Sequence, residues 1–201
     1  MSGGKDGTAK LWHIPDMTLI RTFNGGVGYR PRLFAVLFSK DGGYVILGGQ
    51  GGVLAYRIRD GLMMLQLTRV STLSLALSPD GTMLASGSNA IDQYGQCTDC
   101  TIKMFRMSDG ALFRTIPGNN NGVTSLAFSP DRGELAAGAG DRTYSGSVRF
   151  FRVSTGQLLG TWLQDPNNGS SYVTSVAYAP FGHMVAYARA DELVVAAFDP
   201  F

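Results

Sequence analysis

An all-β fold of repeated four-stranded antiparallel units is predicted by three observations. A short apolar strand running into Ser-Pro-Asp-Gly, or something close to it, occurs four times: Phe34 to Gly42 (FAVLFSKDG), Leu73 to Gly81 (LSLALSPDG), Val123 to Arg132 (VTSLAFSPDR) and Val173 to Gly182 (VTSVAYAPFG). Its anchors, Ser39, Ser78, Ser129 and Ala179, are spaced by about 39, 51 and 50 residues, a period that marks a β-propeller when each repeat holds several strands. The 201 residues include 27 glycines and only 16% charged residues, a composition suited to many short strands and tight turns.

The elements of one period follow from local chemistry. Val123 to Phe128 alternates and is rich in β-formers, and Ser129-Pro130-Asp131 places proline where a turn favours it. Glu134 to Ala139 reads as a second strand, Ser147 to Val153 as a third and Gln157 to Leu163 as a fourth, with Ser154-Thr155-Gly156 turning between the last two. Such a meander is one propeller blade. The preceding period repeats it with Thr72 to Leu77, Met83 to Ser88, Thr101 to Met107 and Ala111 to Ile116. The one before that runs Leu33 to Phe38, Tyr44 to Gly48, Gly52 to Ile58 and Leu62 to Leu67. The expected organisation is a partial blade at 1–23, blades at about 33–67, 72–116 and 123–163, and an incomplete blade at 172–201. This amounts to about three complete blades plus two partial ones. The count is about 17 strands where a seven-bladed ring carries about 28, so the expectation is the later part of a larger propeller.

The third strands resemble the WD-repeat (WD40) family, whose third strand ends in aliphatic-basic-aliphatic-Trp-Asp. The matching segments are Ala9 to His13, Val53 to Arg57, Ile102 to Arg106, Val148 to Arg152 and Val195 to Asp199. Trp12 keeps the tryptophan, while Tyr56, Phe105, Phe151 and Phe198 replace it. The family's network of His, Ser or Thr, Asp and Trp lacks its histidine here, because neither His13 nor His183 sits before a first strand. The Asp of the tight turn before the third strand is recognised at Asp6 and Asp191. Aromatic packing is therefore expected to replace the network in most blades, each ring contributing roughly 1.5–3 kcal/mol on burial.

In a meander, first-to-second and third-to-fourth turns share one face of the disc, and the remaining connections share the other. The first set is minimal, whereas the second carries Asn24 to Arg32, Asn89 to Cys100, Pro117 to Gly122, Gly140 to Gly146 and Gln164 to Tyr172. Tyrosine, arginine and asparagine on loops of a rigid frame suit recognition. The candidate protein-binding residues are Tyr29, Arg30, Arg32, Tyr94, Asp99, Asn120, Arg142, Tyr144, Asn168 and Tyr172. Cys97-Thr98-Asp99-Cys100 lacks the second ligand pair of a zinc ribbon and the helix of a redox site, which leaves a local disulfide or two free thiols.

The resemblance implies a non-enzymatic interaction scaffold with a protein or peptide partner and no cofactor. Two alternatives stay open: a sensing or docking module of a larger signalling protein, and a catalytic propeller whose active residues lie in blades outside this segment. The first strands offer serine and threonine but no ionisable cluster for catalysis. A net charge of +2 without basic runs argues against nucleic acid, and no apolar stretch approaches the ~20 residues that cross a bilayer. Two cysteines and no signal-like N-terminus set a cytoplasmic expectation. Exposed sheet edges would favour self-association.

Overall fold

The computed structural model describes residues 1–26, 32–91, 94, 97–117, 122–140, 146–163, 172–181, 184–189 and 193–197. Among them every regular element is a strand, and the strands form five blade sheets and one hairpin. The first sheet is β1 (Ser2–Gly3), β2 (Thr8–His13) and β3 (Thr18–Asn24). The second is β4 (Leu33–Phe38), β5 (Tyr44–Gly49), β6 (Gly52–Arg57) and β7 (Met63–Thr68). The third joins β8 (Thr72–Leu77), β9 (Met83–Ser88), β12 (Ile102–Arg106) and β13 (Leu112–Ile116). The fourth is β14 (Val123–Phe128), β15 (Glu134–Ala139), β16 (Ser147–Arg152) and β17 (Leu158–Leu163). The fifth is β18 (Val173–Tyr178), β19 (Met184–Arg189) and β20 (Leu193–Ala197). All pairings are antiparallel, so the propeller reading holds.

One expectation is corrected. The insertion from Asn89 to Cys100 is not loop throughout, because β10 (Ala90–Ile91) and β11 (Cys97–Asp99) pair as a hairpin beside the third sheet. A two-residue strand carries too little pattern to read from sequence.

The apolar core lies between sheets, not within them. Ala9, Leu11 and Phe23 of the first sheet meet Leu33, Val45 and Leu47 of the second. Ile102, Met104 and Ile116 of the third meet Leu126, Phe128 and Leu135 of the fourth. Middle strands covered on both faces are therefore buried along their length, as in β5 and β15, and lose the alternation of a half-exposed strand. Tyr56, Phe105 and Phe151 are buried in these layers where the family has tryptophan, as the aromatic substitution led us to expect.

First strands of successive sheets lie side by side, and short polar bonds tie them. Ser74 Oγ donates to the Val123 carbonyl at 3.0 Å, and Thr124 Oγ1 donates to the Val173 carbonyl at 2.6 Å. The same register shift recurs at the start of each, between Leu33 and Ala35, Thr72 and Ser74, Val123 and Ser125, and Val173 and Ser175. The second strands of the second, third and fourth sheets each carry a glycine where the next sheet approaches, at Gly48, Gly87 and Gly138. A Cβ on Gly87 would stand 2.5 Å from Val123 Cγ1, and one on Gly138 would stand 2.6 Å from Val173 Cγ1. Alanine-sized bulk at these points would push the sheets apart.

Candidate functional site

On the loop face, connections between sheets meet second-to-third-strand connections. The Arg32 amide donates to Gln50 Oε1 at 3.1 Å, and the Gln50 amide donates to the Arg32 carbonyl at 2.9 Å. At the other end of the arc, Tyr172 stands against Gly140, whose Cβ position would be 3.3 Å from Tyr172 Cα. Arg32 is exposed, Tyr172 is half-buried, and Tyr94, beyond β10, is 77% exposed. The structure thus brings Arg32 and Tyr172 to equivalent places at the heads of β4 and β18. Tyr29, Arg30, Asn120, Arg142, Tyr144 and Asn168 lie outside the described residues.

Cys97 and Cys100 are joined as a disulfide at the end of the hairpin, one of the two states that the sequence left open. Asp99, between them, has its carboxylate committed to the fold. It accepts from Ser88 Oγ at 2.8 Å, Thr101 Oγ1 at 2.7 Å and Lys103 Nζ at 2.5 Å. Burial opposes ionisation, but Lys103, Thr101 and Ser88 outweigh it and hold the carboxyl at about 2. Asp6 makes the corresponding bonds to the amide and hydroxyl of Thr8, each 3.0 Å. Asp99 is therefore the turn aspartate of the third sheet, which the sequence reading assigned only to Asp6 and Asp191. The signal was present: Asp99-x-Thr101-Ile102-Lys103 repeats Asp6-x-Thr8-Ala9-Lys10. The expectation that aromatic packing replaces polar bonding is corrected for this sheet, where both operate. In the first sheet Trp12 Nε1 donates to Ser2 Oγ at 3.1 Å. Asp191 lies outside the described residues.

The opposite face is built from short turns with one repeated bond pattern. Ser39, Ser78 and Ser129 donate through Oγ to Asp41, Asp80 and Asp131 at 2.5, 2.6 and 2.5 Å. The same hydroxyls accept from the amides of Tyr44, Met83 and Glu134, all at 2.9 Å. Ser39 and the Gly43 amide lower the carboxyl of Asp41 below its usual range, and Ser78 and the Thr82 amide hold that of Asp80 well below it. At the third-to-fourth turns, Arg57 pairs with Asp60 at 2.5 Å and Arg106 with Asp109 at 2.9 Å. The bond from Arg57 holds Asp60 at about 2. The arginines that recur after the third-strand aromatic thus secure local turns in two sheets.

This face also carries concavities. A cavity of about 680 Å³ lies between the second and third sheets, bounded by Lys40, Asp41, Tyr44, Gly81, Met83 and Arg106. A smaller one of about 290 Å³ lies between the third and fourth, bounded by Asp80, Met83, Phe128, Arg132 and Val153. Sequence reasoning placed the variation that carries specificity on the loop face and treated the short turns as minimal connections. Grooves between sheets escaped it, because they form from turns 39 to 52 positions apart.

Among the described residues no group of three His, Cys, Asp or Glu side chains is arranged to hold a metal ion. The family model described as WD domain, G-beta repeat matches residues 68–106 and 110–151. An uncharacterized WD repeat-containing protein of Synechocystis sp. is 32% identical over 132 residues, covering 61% of this chain and 35% of the relative. The periodic tryptophan protein 2 homolog of Neurospora crassa is 28% identical over 123 residues, covering 61% of this chain and 12% of the relative. The chain therefore matches about a third or less of the length of these curated relatives. A chain in the crystal structure of a mitotic checkpoint complex superposes with a TM-score of 0.77 at 20% identity, over 98% of this chain and 56% of that one, which shows a shared fold. With four-stranded antiparallel blades whose turns repeat in register and a relative named for its WD repeats, residues 68–106 and 110–151 of this chain are WD repeats.

Proposed function

We propose that this chain is a non-enzymatic protein–protein interaction scaffold that engages its partner through the loop face. The observation that carries this is Tyr94, an aromatic residue 77% exposed beside a disulfide-closed hairpin, on the same face as the exposed Arg32. A large amphipathic ring presented at low conformational cost is what recognition surfaces use. The first strands LFAVLF, TLSLAL, VTSLAF and VTSVAY carry no His, Asp, Glu, Lys or Cys, which supports a scaffold over a catalytic channel. Residence in the cytoplasm is part of the proposal from sequence, although a closed Cys97–Cys100 bond favours an oxidising compartment. Thiol alkylation of freshly lysed cells decides between them.

The test is affinity capture with the wild-type chain and a variant carrying Tyr29→Ala, Arg30→Ala, Tyr94→Ala and Tyr144→Ala. Loss of the captured partner with an unchanged β-sheet circular dichroism spectrum supports the loop face. Undiminished capture refutes it.

A further inference from the structure

We infer that the groove between the second and third sheets, on the short-turn face, docks an arginine side chain of a protein partner against Asp41. The molecule supplies its own template one groove further on. There Arg132, in the turn opening the fourth sheet, reaches back to Asp80 of the third and pairs with its Oδ2 at 2.5 Å. Arg132 adopts φ 68°, a left-handed conformation that its sister turns give to glycine, at Gly42 (φ 70°) and Gly81 (φ 78°). A non-glycine residue there carries backbone strain, so the arginine–aspartate contact persists against a local cost.

In the groove between the second and third sheets the arginine position is Gly81, and the aspartate position is Asp41. Asp41 Oδ1 takes the bonds from Ser39 and from the Gly43 amide. No cation among the described residues pairs with Asp41, and the serine and amide bonds keep it ionised at neutral pH. The groove is correspondingly larger, about 680 against 290 Å³. Its walls suit an arginine: Met83 and Met107 for the alkyl stem, and Tyr44, in the position that Met83 holds one sheet on, for the guanidinium. The two cations at its rim are already engaged, Arg106 by Asp109 and Lys40 by the Pro79 carbonyl at 2.8 Å. Arginine suits the site better than lysine because its planar fork pairs with a carboxylate through two bonds.

This inference rests on the reading of the chain as a protein-binding scaffold, yet it concerns the opposite face, so the two fail separately. The experiment is a ¹⁵N-resolved NMR titration with N-acetyl-arginine amide, with N-acetyl-citrulline amide as the neutral isostere. Saturable shifts are expected at Asp41, Gly43, Tyr44 and Gly81 with the arginine probe, weakened at least five-fold for citrulline or in Asp41→Asn. Asparagine keeps the turn-forming Oδ1 acceptor, so this variant retains the turn. In Arg132→Gly, Asp80 becomes vacant and a second set of shifts is expected at Asp80, Met83 and Gly133. No saturable shift, an equal response to citrulline, persistence in Asp41→Asn, or no second set in Arg132→Gly each overturns the inference. The loop-face variant is expected to leave all these shifts unchanged.

Discussion

Tyr178 Oη donates to Glu134 Oε2 at 3.1 Å, linking the fifth sheet to the fourth across 44 residues. Glu134 is only 7% exposed and opens β15 opposite Arg152. Burial, and then the facing carboxylate, push the Tyr178 phenol well above its usual value. It therefore stays neutral and donating at pH values where a free tyrosine ionises.

Two outcomes follow for this pair. Tyr178→Phe leaves a buried carboxylate short of a donor and is expected to lower stability by about 1–3 kcal/mol, read from urea midpoints. The alkaline limb follows from the raised pKa. Below the unfolded value near 10 the contribution is complete, and above it the unfolded chain releases a proton that the folded chain retains, so stability falls as pH rises. Wild type is expected to lose stability above about pH 10 more steeply than Tyr178→Phe.

The close approach of sheets at Gly138 makes a steric prediction. Gly138→Ala places a methyl 2.6 Å from Val173 Cγ1. Overpacking of this kind costs about 1–3 kcal/mol. The double variant with Val173→Ala is expected to recover part of that loss in thermal denaturation; simple additivity would show that the contact is not the cause.

Arg132 allows backbone strain to be separated from charge. Arg132→Gly relieves a left-handed conformation costing roughly 1–2 kcal/mol and gives up an ion pair weakened by solvent. It is expected to lie within about 1 kcal/mol of wild type, whereas Arg132→Ala, which keeps the strain and loses the pair, falls about 1 kcal/mol below the glycine variant. Equal stability of the two would remove the strain argument.

Asp99 sets an acid limb. Its carboxyl is held at about 2, so its stabilisation is complete above the unfolded value near 3.9 and is lost as pH falls toward 2. The partial exposure of Asp99 and Lys103 reduces the effect to about 1 kcal/mol. The hydrogen-exchange protection of β11 and the start of β12, taken against the intrinsic rate at each pH, is expected to fall between pH 4 and 2 in wild type and to be low throughout in Asp99→Ala. Cys97→Ser is expected to speed exchange in β10 and β11 alone, since the bond closes a short local loop.

Much of this molecule could be read in the chain because its signals are local. Ser-x-Asp turns write their own hydrogen bonds within five residues, as Ser39, Asp41 and Tyr44 show. Alternation and turn chemistry located the blade strands to within a residue or two, and the aromatic substitutions foretold the buried Tyr56, Phe105 and Phe151. Asp99 was legible by analogy with Asp6 but was hidden by the cysteines around it.

By itself, then, the sequence determined strand, turn, repeat and the alternation of faces, all consequences of backbone geometry over a few residues. Tertiary structure alone decided what each repeat meets in the next: Tyr178 against Glu134, Arg132 against Asp80, Gly138 beneath Val173, and Asp41 beside a groove whose rim cations, Lys40 and Arg106, are bonded elsewhere. These pairs stand 35 to 52 positions apart, and no local period encodes which side chain fills a neighbour's gap. That is settled only when the sheets pack and each buried or half-buried group must find a partner or a space.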